Sequence, residues 1–249
     1  MTTDTEPQAE DRIESLIEEG VASEEPLAAR DPDPFWQGLQ AAGTELWLDT
    51  GDMDAASELW AAEFTALTTN NTLLNNEVQK GIYDGLIQSA SEALSDLDPQ
   101  SRIIEIAFIL NARHGLRLAR RFGGKVSVEL HTDLSHDLER TLKYARRFYR
   151  LCPEQFIIKI PLTPSGLIAT RQVREEGIPV NFTLGFSARQ NVVATAFSKP
   201  NYVNVFLGRL GAVVADNELG DADNIGEKAT LSSNRLIAQL SDRRAEPTR

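Results

Sequence analysis

The chain has one cysteine, three histidines and no apolar run that approaches the ~20 residues of a membrane span. Cys152 cannot form an intrachain disulfide, which fits a reducing compartment, and an inert thiol is predicted because no nucleophile motif surrounds it. His131 and His136 are five residues apart and do not share a helical face, which argues against a metal site. The polar, acidic N-terminus is unlike a signal peptide, so a cytoplasmic protein is predicted.

Nucleotide-binding loops and an excess of basic residues are also missing. No Gly-x-Gly-x-x-Gly follows a predicted strand, no Gly-Lys-Ser/Thr loop occurs, and no sequence period repeats. The 25 Lys and Arg are outnumbered by 37 Asp and Glu, giving a formal net charge of -12 that repels nucleic acid. These absences disfavour dinucleotide enzymes, P-loop proteins, solenoids and nucleic-acid-binding proteins, and no membrane partner is predicted. A small anionic substrate stays compatible with the charge.

What the sequence does contain is a series of short apolar runs separated by helical stretches. The runs have the length and the Val, Ile, Leu and Phe content of strands: 45–49, 64–69, 125–130, 156–161, 180–186 and 202–208. The helical stretches are 54–62, 76–95, 101–122, 134–151, 164–176, 188–197 and about 224–243. This alternation predicts an α/β fold of six strand–helix units with a parallel sheet. Residues 1–34 are acidic and proline-interrupted, and we predict that they form a mobile or loosely docked extension to a domain of residues 35–249.

Polar residues at the ends of the predicted strands are the candidates for chemistry, because active sites of parallel α/β proteins lie at the carboxyl ends of the strands. They are Asp49, Thr68, Asn70, Glu129, Lys159, Asn181, Thr183, Asn204 and Arg209. Lys159 interrupts Phe-Ile-Ile-Lys-Ile-Pro, a run typical of a central strand. Either its amine reaches solvent or pairs with a carboxylate, or it is a buried nucleophile toward a carbonyl carbon.

Asp49 and Glu129 each close an apolar run, where a carboxylate is costly unless it is hydrogen-bonded or paired. One interpretation is structural, with Asp49 capping the helix that follows. The other is catalytic, because a lysine and two carboxylates are the groups that Schiff-base chemistry needs: the amine attacks a ketone and the carboxylates move protons.

Six motifs lie at or near the ends of the predicted strands. They are Leu-Asp-Thr-Gly-Asp at 48–52, Leu-Thr-Thr-Asn-Asn-Thr-Leu-Leu at 67–74, Val-Ser-Val-Glu at 126–129, Ile-Ile-Lys-Ile-Pro at 157–161, Glu-Glu-Gly-Ile-Pro-Val-Asn-Phe-Thr-Leu-Gly-Phe-Ser at 175–187 and Phe-Leu-Gly-Arg at 206–209. Together these motifs resemble those of the transaldolase family. The resemblance covers roughly residues 44–240 in order, and it implies a TIM (β/α)8 barrel that needs no metal or organic cofactor.

The resemblance also implies a role for each candidate. Lys159 would form the Schiff base, Asp49 would be the general acid/base, and Glu129 and Thr183 would hold a proton-carrying water. Thr68, Asn70 and Asn181 would bind or orient the dihydroxyacetone part, Asn204 would be a further substrate-binding residue, and Arg209 would bind the phosphate. The implied partners are fructose 6-phosphate, sedoheptulose 7-phosphate, erythrose 4-phosphate and glyceraldehyde 3-phosphate, in the pentose phosphate pathway. A homodimer is compatible with the resemblance.

The chain departs from the family pattern at three positions and at its end. Asn71 stands where the family usually has proline, Thr72 where it has serine, and Asn204 where many members have serine. We expect only the first six strand–helix units, because the sequence reaches Arg249 where a seventh strand is expected. Two alternatives to a transaldolase stay open: a related fructose-6-phosphate aldolase, disfavoured by Glu129, and an inactive truncated remnant.

Overall fold

A computed structural model describes residues 5–241 and 248–249. The chain divides into two compact units: Met1–His131 with Arg147–Ile157, and Thr132–Arg146 with Ile158–Arg249. The strands are β1 Leu46–Asp49, β2 Phe64–Thr68, β3 Lys125–Glu129, β4 Phe156–Pro161, β5 Val180–Gly185 and β6 Tyr202–Val205. The helices are α1 Thr5–Glu18, α2 Pro34–Ala41, α3 Met53–Leu59, α4 Asn71–Gln79, α5 Asp84–Ala93, α6 Pro99–Phe122, α7 Leu138–Leu151, α8 Pro164–Glu175, α9 Ala188–Phe197, α10 Leu207–Asp216 and α11 Ile225–Ser241.

The first unit contains three parallel strands in chain order, β1-β2-β3. Ala66, Leu67 and Val126 have no exposed surface, and the successive residues Ala66 and Leu67 point to opposite faces of the sheet. Burial on both faces explains why this run is apolar throughout. The long helix α6 packs on β3 through Gly115, where a Cβ atom would lie only 2.8 Å from a methyl carbon of Val128. Gly115 therefore allows the helix to approach the sheet closely.

The N-terminal segment belongs to the first unit. Ile13 and Ile17 of α1 are buried, and Arg147 bridges Glu10 of α1 and Glu105 of α6 at 3.1 and 2.9 Å. Residues 5–18 of this segment are helical. The domain boundary at residue 34 stays a prediction.

The second unit contains the end of β4 followed by β5 and β6, again parallel and in chain order. Each connecting helix begins with a side-chain cap: Thr163 accepts from the backbone N–H of Gly166 at α8, and Ser187 accepts from that of Gln190 at α9. Pro164 occupies the first turn of α8, where a missing N–H costs nothing. These caps begin the helices directly after the strands.

The α/β class and the six parallel strands are confirmed, and they are consistent with the first six strand–helix units of a (β/α)8 barrel. Several boundaries differ. The predicted helix 76–95 is two helices, because Gly81 has a positive φ of 78° between them. The predicted strand 202–208 ends at Val205, and α2 and α10 were not predicted. Residues 242–243 of the predicted last helix lie outside the described residues.

Candidate active site

Asp49 lies at the carboxyl end of β1, in register with Thr68 at the end of β2. Asp49 is exposed and Thr68 is half-buried. The capping interpretation of Asp49 is wrong, because Asp52 is the N-cap of α3 and accepts hydrogen bonds from two backbone N–H groups, each at 2.9 Å. Asp49 thus keeps the strand-end position expected of a catalytic carboxylate.

The loop that follows Asp49 is fixed in place at Asp52, next to the start of α3. The ammonium group of Lys80 donates to Asp52 at 2.8 Å, and this hydrogen bond is the main reason that the pKa of Asp52 lies below its usual value. Gly51 lies against the backbone of Leu73, and a Cβ atom there would be 3.2 Å from the Leu73 carbonyl oxygen. The loop after β1 and the first turn of α4 are therefore packed together.

Asn70 has a structural role that the sequence analysis did not assign. It is the N-cap of α4, and its side-chain oxygen accepts from the backbone N–H of Leu73 at 2.9 Å. Asparagine is among the preferred N-cap residues, so this contact alone explains its presence. Its predicted role in substrate binding would use the amide group of the same side chain.

Glu129 ends β3 and is half-buried. Its Oε2 accepts two hydrogen bonds from Asn71, one from the backbone N–H at 3.0 Å and one from the side-chain amide at 2.9 Å. The side chain of Asn111, on α6, donates in turn to the oxygen of the Asn71 amide at 3.2 Å. A carboxylate in a partly buried position thus receives the hydrogen bonds that it needs.

Lys159 is the most buried charged group among the predicted site residues, with 4% of its surface exposed. Its neighbours Ile158 and Ile160 are fully buried, and the register pairs it with Asn181 of β5, itself 6% exposed. Lysine is almost never buried to this degree without a partner or a function. The strand-end interpretation in which the amine snorkels to solvent is therefore wrong.

Thr183 and Asn204 are brought together in the second unit. Thr183 lies in register with Pro161 and is buried, and its hydroxyl accepts from the Asn204 amide at 3.2 Å. The side-chain amide oxygen of Asn204, Oδ1, is buried and has no hydrogen-bond partner among the described residues. An acceptor of this kind is available to a hydroxyl group of a substrate.

Arg209 lies outside the strand. It is an exposed residue in the first turn of α10, with its guanidinium 4.9 Å from the centre of the Phe206 ring. Stacking on an aromatic face holds a planar guanidinium and leaves its N–H groups able to donate to other acceptors. That arrangement suits a phosphate oxygen, and the helix N-terminus adds positive potential.

Within each unit, several of the predicted site residues therefore lie near one another on neighbouring strands. The first brings Asp49 beside Thr68, and the second brings Lys159 beside Asn181 and joins Thr183 to Asn204. The contact of Asn71 with the carboxylate of Glu129, and the contact of Asn111 with Asn71, were not predicted from the sequence. In the sequence Asn71 stands out only as a departure from the family pattern, and a lone asparagine within a helix such as α6 carries no signal.

Among residues 5–241 and 248–249, no cluster of three or more His, Cys, Asp or Glu side chains suited to a metal ion occurs. None of the helices in this part of the chain has the length and apolarity needed to cross a membrane. Cys152, for which the sequence predicts an inert thiol, is half-buried, and burial raises the pKa of that thiol.

Parallel strands with polar side chains at their carboxyl ends define an α/β protein of the barrel type. A model of the Transaldolase/Fructose-6-phosphate aldolase family matches residues 46–247. The chain therefore belongs to this family, as its motifs indicated.

Individual relatives agree with the family match. The chain is 34% identical over 171 residues to a transaldolase of Xanthomonas campestris pv. campestris (strain B100), covering 65% of this chain and 52% of the relative. It is 32% identical over 180 residues to a transaldolase of Schizosaccharomyces pombe, covering 69% and 55%, respectively. For a transaldolase of Mycolicibacterium smegmatis the identity is 30% over 180 residues, covering 66% and 48%. The chain spans about half the length of the curated relatives it matches.

Proposed function

We propose that this protein is a transaldolase that moves a dihydroxyacetone unit between sugar phosphates through a Schiff base on Lys159. The observation that carries the proposal is a lysine 4% exposed within a strand of fully buried isoleucines, inside the region that the family model matches. Relatives named transaldolase support the same reaction. A buried amine is a suitable nucleophile because no water shell has to be removed before it attacks.

In the proposed reaction the Lys159 amine adds to the ketone carbon of a ketose phosphate, and the carbinolamine loses water to give an iminium ion. Asp49 then accepts the proton of the hydroxyl group whose ionisation lets the carbon–carbon bond break. The aldose phosphate leaves, and the electron pair stays on the lysine-bound three-carbon unit. This carbanion attacks an acceptor aldehyde, and hydrolysis releases the new ketose phosphate. Glu129 and Thr183 hold the water that carries protons.

Substrate recognition is assigned to polar groups that follow or end the strands. Thr68, Asn70, Asn181 and Asn204 are proposed to bind the hydroxyl groups of the dihydroxyacetone part, and Arg209 the phosphate. The buried side-chain oxygen of Asn204 and the exposed guanidinium of Arg209, stacked on Phe206, support these assignments. No metal or organic cofactor is required by this chemistry.

The proposal extends to substrates and setting. Fructose 6-phosphate and sedoheptulose 7-phosphate are the proposed donors, and erythrose 4-phosphate and glyceraldehyde 3-phosphate are the proposed acceptors, in the pentose phosphate pathway of the cytoplasm. A homodimer is proposed as the assembly, and sedimentation velocity would refute it by showing a monomer at all concentrations.

Reductive trapping tests the covalent step. Borohydride added with fructose 6-phosphate should attach the three-carbon unit to Lys159 and to no other lysine, as read by peptide mass spectrometry. Lys159→Ala should abolish the label, whereas Lys143→Ala, at an exposed lysine of α7, should keep it. Labelling that persists in Lys159→Ala would refute the assignment.

Turnover distinguishes the transferase from an aldolase, the other activity that the family description names. Fructose 6-phosphate alone should release little glyceraldehyde 3-phosphate, and added erythrose 4-phosphate should accelerate the release. Release that does not depend on the acceptor would favour the aldolase. Glu129→Gln should lower kcat by roughly 10²–10⁴-fold, as expected for a group that moves protons in the transition state.

A further inference from the structure

The carboxylate of Glu129 accepts hydrogen bonds from Asn71, which lies 58 positions earlier in the sequence. Asn71 donates to the same oxygen, Oε2, from its backbone N–H at 3.0 Å and from its side-chain amide at 2.9 Å. Two donors converging on one carboxylate oxygen fix both its position and the rotamer of the side chain. Hydrogen bonds to a charged acceptor are about twice as strong as neutral ones.

The orientation of the Asn71 amide is determined by its surroundings. Its nitrogen donates to Glu129 and also to the carbonyl oxygen of Leu130 at 3.1 Å, while its oxygen accepts from Asn111 at 3.2 Å. A flipped amide would place oxygen against two acceptors and nitrogen against a donor. Asn111 is 4% exposed and also donates to the carbonyl of Ala107, so it is itself fixed.

The backbone donor is available for a reason that lies in the helix. Asn71 is the first residue of α4, and the first N–H groups of a helix have no acceptor within it. Glu129 supplies that acceptor, and its negative charge is favoured at the positive end of the helix dipole. Proline has no N–H and no side-chain amide, so it could provide neither contact.

We propose that Asn71 is a positioning residue for Glu129. Its two hydrogen bonds hold the carboxylate in one rotamer with Oε2 as an acceptor, and Asn111 keeps the Asn71 amide turned the right way. This inference rests on the proposed function, because it assigns Asn71 an effect on the proton-relay step. It also assigns a purpose to the asparagine that stands where the family pattern has proline.

Two variants of Asn71 remove the donors in steps. Asn71→Ala removes the side-chain amide, and Asn71→Pro removes the backbone donor as well. Proline suits the first helical position, and the extended backbone of Asn70, with φ −153° and ψ 171°, suits a residue that precedes proline. Asn75→Ala, at an exposed asparagine of the same helix, is the matched control.

The effect is expected in kcat rather than in KM. Asn71→Ala should lower kcat about tenfold and Asn71→Pro further, with KM changed less than about twofold and Asn75→Ala equal to wild type. In a Glu129→Ala background, Asn71→Ala should have almost no effect on the residual rate, because the group through which it acts is gone. An effect of equal size in both backgrounds, or wild-type kcat in both Asn71 variants, would overturn the inference while the proposed function stood.

Thermal unfolding gives a reading that does not require activity. Asn71→Ala should lower Tm more in the wild-type background than in Glu129→Ala, and equal shifts would show that the contact does not form. A wild-type protein that neither forms the Schiff base nor turns over would overturn the proposed function, and with it the catalytic consequence assigned to Asn71.

Discussion

Lowering the pH is expected to destabilise the first unit through His114. This residue lies in α6 with 1% of its surface exposed, and its Nδ1 is 2.8 Å from the Tyr83 hydroxyl. The Tyr83 oxygen accepts from Arg117 at 3.2 Å, so the hydroxyl proton points to the imidazole, which is neutral. Burial, followed by the positive charge of Arg117, lowers the pKa of His114 to about 4 from 6.5.

The sign and size of the effect follow from proton linkage. Between about pH 6.5 and pH 4 the unfolded chain binds a proton at this histidine that the folded chain does not, so stability falls as the pH falls through this window. The free energy of unfolding should lose about 2 kcal/mol from this group at pH 5, and about 3 kcal/mol at pH 4, relative to neutral pH.

Urea denaturation at about pH 7.5 and pH 5 measures this loss. His114→Gln should be less stable than wild type at neutral pH, because it disturbs a buried hydrogen bond, but its stability should fall by about 2 kcal/mol less between the two pH values. His136→Gln, at an exposed histidine, should keep the wild-type dependence. Parallel curves for wild type and His114→Gln would refute the reasoning.

Two further predictions concern packing in the described residues. Arg147→Ala should cost about 3–5 kcal/mol and expose α1 to proteolysis, because it removes the guanidinium that pairs with the buried carboxylate of Glu105. Arg146→Ala, which breaks an exposed pair, should cost less than about 1 kcal/mol; urea titration and limited trypsin digestion would check both, and equal costs would contradict the burial argument. Gly115→Ala should lower the free energy of unfolding by about 1–3 kcal/mol because its Cβ would overlap side chains of the sheet. Gly85→Ala, in α5 with open space around it, should raise the free energy of unfolding by up to about 1 kcal/mol; a thermal melt in which Gly115→Ala gained stability would show that α6 can move away from the sheet.

The features that the sequence determined are those that depend on neighbours along the chain. The six strands were located because each is an apolar run of strand length, and five of them end within a residue of the predicted position. The family followed from short motifs at strand ends, which stay in order however the chain folds. The candidate Lys159 stood out for the same local reason, since a charge within an apolar run is unusual. The catalytic and binding roles of the nine site residues stay predictions.

The features that only the tertiary structure decided depend on residues far apart in the sequence. Which of two aspartates caps α3, and where 76–95 divides at Gly81, are settled by backbone conformation rather than by residue type. The hydrogen bonds from Asn71 to Glu129 join residues 58 positions apart, and the sequence around either residue does not indicate the other as its partner. Burial of His114, and the pKa that follows from it, arises only when α6 is covered by its neighbours. Periodicity reports which face of an element is apolar, but hydrogen bonds between elements depend on distances and angles that only the folded chain sets.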